Sequence, residues 1–245
     1  METDKVAKGM LLGEKIEKEI KKLGDKEKSK VLMRFFKTGK GEYGEGDLFL
    51  GVTVPLSRKV AVVYSDISFD EVSFLIKNKY HEIRLVAVLI LVHKYKKSIN
   101  REEKKKIVDF YLSHTKYINN WDLVDLSAHY ILGDYLLKEK NRKILYTLAN
   151  SKSLWEERIA MISTFAFIYK GEFKDTIKLA KFFLNHKHDL IHKASGWMLR
   201  EVGKRVSEKA LYNFLDLYSD KMPRTMLRYA IEKLPEKNRL FYLNK

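Results

Sequence analysis

Three prolines in 245 residues, with five of the twelve glycines gathered between Thr38 and Gly51, leave most of this chain without a residue that stops a helix. Proline removes a backbone donor and clashes with the preceding turn, and glycine loses the most freedom on ordering, so both mark helix ends. A chain this poor in them has little punctuation for a sheet-rich fold. Apolar residues recur at amphipathic-helix spacing along nearly the whole length. The spacing predicts helices over 4–22, 26–37, 55–65, 69–78, 81–97, 100–113, 119–138, 140–150, 153–169, 173–185, 188–204, 207–218 and 222–233. Connections are short, which favours antiparallel neighbours.

The expected fold is therefore all-α. From about residue 68 the helices pair into helix–turn–helix units of roughly 35–40 residues, the period of HEAT- or armadillo-like stacking. This predicts one repeat domain over 1–245, with N-terminal helices over 1–67 and stacked pairs over 68–245. Such an array offers an extended concave face for a rod-like partner. Start signals include Ser68 ahead of Phe69-Asp70-Glu71, a capping box at Ser153 with Glu156, Asp189 at the head of a helix, and Pro55 in a first turn.

Charge narrows the partner. The chain holds 48 Lys+Arg against 32 Asp+Glu, a net +16, which points to a nucleic acid, although a generally solvated basic surface gives the same total. The absence of cysteine excludes disulfides, thiolate metal sites and cysteine nucleophiles. Residues 1–22 lack the apolar core of a signal peptide, and the longest apolar run, Leu85 to Val92, is too short to span a bilayer. The expectation is an intracellular, cytoplasmic protein with no membrane partner, monomeric, and nucleoid-associated when on DNA.

The glycine-rich segment 38–51 lacks the Gly-Lys-Ser/Thr end and preceding strand of a phosphate-binding loop, so it reads as a mobile surface loop near the partner. His188-Asp-Leu-Ile-His192 imitates a zinc-protease helix but has Asp for the catalytic Glu and no evident third ligand. Polar residues at a helix start, or a partner-facing histidine, explain it better. Neither metal nor cofactor is expected.

Two aromatic positions carry more information. Trp121 and Asp125 lie four residues apart within Ile118-Asn-Asn-Trp-Asp-Leu-Val-Asp, so on a helix they share a face. They flank the core stripe Val124, Ala128, Ile131 and Tyr135. An indole beside a carboxylate on a basic protein fits a cationic centre on a polyanion; a capping Asp beside a core Trp is the plainer alternative. In 189–204 the apolar stripe is Ile191, Ala194, Met198, Leu199 and Val202, and Trp197 falls outside its centre, on the face of Lys193, Arg200 and Lys204. That is an aromatic platform among backbone-contacting cations, or a Trp packed on a neighbouring helix under lysine stems. Arg158 sits near a helix N-terminus, where its charge opposes the dipole. An acidic side chain or a phosphate should compensate; Glu156 and Glu157 could serve locally.

Further stretches resemble a known family: 36–55 (Phe-Lys-Thr-Gly-Lys-Gly to Val-Thr-Val-Pro), His81-Glu-Ile-Arg-Leu-Val-Ala, Asn119-Asn-Trp-Asp-Leu-Val-Asp, 154–168, 187–203 and Met222-Pro-Arg-Thr-Met-Leu-Arg-Tyr-Ala. The chain is similar to the AlkD-like DNA alkylation-repair glycosylases, which are built from HEAT-like repeats, and the resemblance spans most of it. It implies Asp125 as catalytic aspartate, Trp121 and Trp197 as lesion-facing tryptophans, and Arg158 as active-site arginine, all four retained. The family's Val-Pro-x-x-Arg element stands as Val54-Pro55-Leu56-Ser57-Arg58, with Leu56 in place of the usual polar residue. The implied activity is base excision repair: hydrolysis of the glycosidic bond of cationic N3- or N7-alkylated purines in double-stranded DNA, with the lesion not required to enter a closed pocket. Candidate DNA-backbone contacts are Arg58, Lys193, Arg200, Lys204, Arg224 and Arg228. The main alternative is a non-catalytic HEAT-repeat protein binding distorted or branched DNA, against which the intact Asp125 argues. A scaffold for an acidic protein and an RNA-binding protein complete the alternatives.

Overall fold

The computed structural model describes the backbone of residues 2–245 and the side chains from Leu12 onward. It is an all-helical protein. Among the described residues, extended pairing is confined to one parallel bridge between Leu48 and Tyr80. The chain divides into two compact units, one ending at Ser127 and the other starting at Ala128.

The first unit contains α1 (Glu2–Lys22), α2 (Lys26–Phe35), α3 (Val54–Val63), α4 (Phe69–Ile76), α5 (His81–Lys97), α6 (Arg101–Ser113) and α7 (Trp121–Asp125). Its centre is α5, which packs against α1, α3, α4, α6 and α7. Every residue from His81 to Val92 is buried. A helix hydrophobic all round belongs inside, which explains the uninterrupted run Leu85 to Val92. Local signals set the starts. Asp25 accepts from the Glu27 and Lys28 amides, Asn100 from that of Glu103, and Ser68 forms a reciprocal capping box with Glu71. Pro55 sits in the first turn of α3.

The second unit contains a π-helix (His129–Gly133), α8 (Asp134–Leu136), α9 (Lys143–Ala149), α10 (Leu154–Tyr169), α11 (Lys174–Phe182), α12 (Asp189–Arg205), α13 (Glu208–Tyr218), α14 (Arg224–Ile231) and α15 (Glu236–Asn244). Here α10, α12 and α14 pack side by side, with α9 and α11 against α10 and α11 and α13 against α12. This successive pairing is consistent with an α-solenoid. Close approach is built in at Gly196, where a Cβ would lie 2.4 Å from the Met226 carbonyl oxygen on α14.

Three expectations need correction. The single helix over 119–138 is broken: α7 ends at Asp125, a turn follows, and the chain resumes as a π-helix. Ser127 is the cause. Its hydroxyl donates back to the Leu123 carbonyl at 2.6 Å and meets the Tyr111 hydroxyl at 2.8 Å, while its amide reaches only to Val124. Back-bonding of this kind tightens and bends a helix. The capping box expected at Ser153 is absent; its side chain makes no cap bond, and its amide donates to Ser151 Oγ at 3.2 Å. Asp189 opens α12 as expected, with His188 as the cap, accepting from the Leu190 amide at 3.1 Å, and Asp189 pairs with Lys193 one turn on. Helix α15 was not foreseen, because Leu240 and Phe241 stay exposed while only Tyr242 is buried, so no apolar stripe betrays it.

Candidate functional site

Trp121 opens α7 and Asp125 closes it, one turn later. Both side chains are half-buried. The helix starts there because Asn120, extended at φ −148°, accepts from the Trp121 amide. The indole then lies on an aromatic stack. Its ring is 5.2 Å from that of Phe36 and 19° from parallel; Phe36 is stacked on Phe49 at 4.9 Å, and His81 lies 4.5 Å from Phe49 and 5.1 Å from Phe36.

Behind the stack runs a buried polar network. His81 Nε2 is 2.8 Å from the Asp122 carboxylate and Nδ1 is 3.4 Å from that of Asp47. Arg84 donates to the other Asp47 oxygen at 2.6 Å. Burial by itself would push the His81 imidazole down, but the charge and hydrogen bond of Asp122, with the bond to Asp47, outweigh it and raise it to about 9. Burial would raise Asp47; its bond with His81 and the Arg84 charge hold it below the usual carboxylate range instead. The network thus keeps His81 protonated and Asp47 ionised at neutral pH.

The glycine-rich segment belongs to this construction. The Glu82 carboxylate accepts from three consecutive amides: Leu50 at 2.9 Å, Gly51 at 2.8 Å and Val52 at 3.2 Å. Gly51 adopts φ +84° and packs against the Asp25 carbonyl, where a Cβ would sit 2.0 Å away; only glycine fits there. Asp47, Phe49 and Val52 are buried. The expected mobile loop is therefore pinned over its second half, where the Leu50, Gly51 and Val52 amides all find the Glu82 carboxylate.

In the second unit, the stripe Ile191, Ala194, Met198, Leu199 and Val202 is fully buried, and Trp197 beside it is half-buried, 5.5 Å from Phe165. Phe165 also meets His129 at 5.5 Å and Tyr169 at 4.6 Å. The Arg205 guanidinium lies 4.7 Å from the Tyr169 ring. Arg158 is buried in α10, and its Nη1 donates to the Leu190 carbonyl at 2.5 Å. Lys193 pairs with Asp189 at 2.7 Å; Arg200 pairs with Glu201 and Glu232; Lys204 is exposed. Arg224 donates to the Leu243 carbonyl at 2.8 Å, and Arg228 is exposed. Arg58, in the first unit, is exposed on α3. The three histidines near α12 serve local structure: His186 bonds Glu157 at 3.0 Å, His188 caps the helix, and His192 Nε2 meets the His186 carbonyl at 2.6 Å.

A sequence model of a family described as DNA alkylation repair enzyme matches residues 16–234. The chain belongs to that family. Its role is that of an enzyme in the repair of DNA alkylation, and DNA is its partner. Among solved structures, it is similar to a predicted DNA alkylation repair enzyme from Enterococcus faecalis. The two share 15% identity and a TM-score of 0.65, over 87% of this chain and 97% of that one. At that identity the likeness speaks for the fold. No curated protein matches the sequence. Among the described residues, no helix is long and apolar enough to cross a membrane.

Residue-level reading of the sequence did not assign roles to His81, Asp122, Asp47, Arg84, Phe36 or Phe49. One signal was available: His81-Glu-Ile-Arg puts three ionisable residues at the head of a helix, directly before the wholly apolar run Leu85 to Val92. Such groups stay buried only when paired.

Proposed function

We propose that this family member is a monofunctional DNA glycosylase acting on N3- and N7-alkylated purines in double-stranded DNA. The supporting observation is the pairing of Trp121 with Asp125 across one helical turn, both half-buried, in a chain that belongs to the alkylation-repair family.

Alkylation at N3 or N7 makes the purine cationic. When the C1′–N bond breaks, its electron pair leaves with the base, which departs neutral and needs no strong general acid. Positive charge moves to the sugar. The Asp125 carboxylate stabilises that oxocarbenium-like centre and orients a water, whose oxygen bonds to C1′ as it loses a proton. The indole face of Trp121 attracts the cationic nucleotide. Trp197 presents a second aromatic surface to the DNA, and Arg158 supplies fixed positive charge toward a phosphate. Arg58, Lys193, Arg200, Lys204, Arg224 and Arg228 hold the backbone. Lys193 and Arg200 must exchange carboxylate partners for phosphate to do so.

The test is release of 7-methylguanine from methylated duplex DNA by wild type and by Asp125→Asn. Release by wild type with a large loss in the variant upholds the reading. Tight DNA binding without release by either would replace it with non-catalytic recognition of distorted DNA.

A further inference from the structure

We propose that His81 is a positioning residue for α7: bridging Asp47 and Asp122, its imidazole ties the first turn of that helix to the loop and α5, and keeps Trp121 flat on Phe36. The inference rests on the reading of Trp121 and Asp125 as the reactive face, and it adds a buried residue that acts through Trp121.

The geometry is specific. Asp122 follows Trp121 directly, and its carboxylate is the atom group of α7 that His81 holds, at 2.8 Å. The other Asp122 oxygen accepts from the Leu123 amide at 2.9 Å, inside the same turn. The imidazole lies against both Phe49 and Phe36, which also stack on each other, and Phe36 carries the Trp121 indole. One buried ring therefore reaches Trp121 by two routes, through the Asp122 backbone and through the Phe36 stack. Five residues are too few for a helix to hold itself, so α7 needs such a fixture at its start. The charged groups facing the imidazole are Asp122 from α7, Asp47 from the loop and Arg84 from its own helix. Loss of the His81 proton leaves those two carboxylates facing only Arg84, which weakens the tie to Asp122.

The experiment is fluorine NMR of protein labelled with 5-fluorotryptophan, the Trp121 resonance being assigned by Trp121→Phe and followed from pH 6 to 10 without DNA. We expect an inflection near 9. It should vanish in His81→Gln and move down by more than a unit in Asp122→Asn, which removes the charge that favours the imidazolium. In parallel, single-turnover excision at pH 7.5 should fall on the order of 10-fold to 100-fold in His81→Gln, with affinity for undamaged DNA unchanged. A Trp121 resonance indifferent to pH in wild type overturns the proposal, as does an inflection that persists in His81→Gln. If His81→Gln does not fold, the wild-type and Asp122→Asn titrations decide by themselves. Wild type that titrates as expected but excises nothing upholds the tie and removes only the glycosylase reading; Asp125-dependent excision that ignores His81 removes only this proposal.

Discussion

The indole of Trp121 lies against the ring of Phe36, centroids 5.2 Å apart and planes 19° from parallel, while Phe35 meets the same indole edge-on at 6.0 Å. Trp121 thus rests on the buried Phe36, with the exposed Phe35 at its edge, and is itself half-buried. Phe36→Leu should leave the fold intact, cost about 1–2 kcal/mol, and lower excision more than DNA affinity. Chemical denaturation beside single-turnover kinetics checks the split.

Asp125→Asn keeps shape and removes charge. Single-turnover release of 7-methylguanine should fall roughly 100-fold to 1000-fold, the scale for losing one preorganised electrostatic contact. Affinity for undamaged duplex DNA should stay the same or rise, since a carboxylate repels phosphate. A parallel loss of binding would contradict a role confined to the reaction.

The buried ion network predicts a pH-dependent stability. His81 is raised to about 9 from an ordinary 6.5, so the folded state holds its proton more tightly than the unfolded chain. Its contribution is fully present below pH 6.5 and is lost as pH rises to about 9, on the order of 3 kcal/mol over that window. Urea titrations at pH 6.5 and 9.5 should show the decline in wild type and a much smaller one in His81→Gln.

Removing one carboxylate of that network is harsher than removing the whole of it. Asp47→Ala leaves Arg84 and His81 buried with a charge short, at a cost of about 3–5 kcal/mol. For a chain of this length, that corresponds to a melting temperature lower by roughly 10 °C. Calorimetry at neutral pH tests it.

Gly196→Ala pushes a methyl against the Met226 carbonyl on α14, 2.4 Å from the ideal Cβ. The cost should be about 1–3 kcal/mol. Separately, Lys204→Ala should leave stability alone and flatten the log Kd against log salt slope by about one unit, if Lys204 holds one phosphate. An unchanged slope would remove Lys204 from the backbone contacts.

Sequence alone determined the helical class, most helix positions to within a few residues, and the core stripe of α12. The reason is that a helix repeats every 3.6 residues, and burial of one face writes that period into the apolar pattern. It also singled out Trp121, Asp125, Arg158 and Trp197, through spacing and family resemblance. Tertiary structure alone decided what holds Trp121 in place. Asp47, His81 and Asp122 are spread over three segments, and no periodicity relates partners so far apart in the chain; only packing around α5 brings them within hydrogen-bond reach. The break after Asp125 was hidden for the same reason. Ser127 ends α7 by bonds to Leu123 and to Tyr111 of α6, and the second of those exists only once the helices have packed.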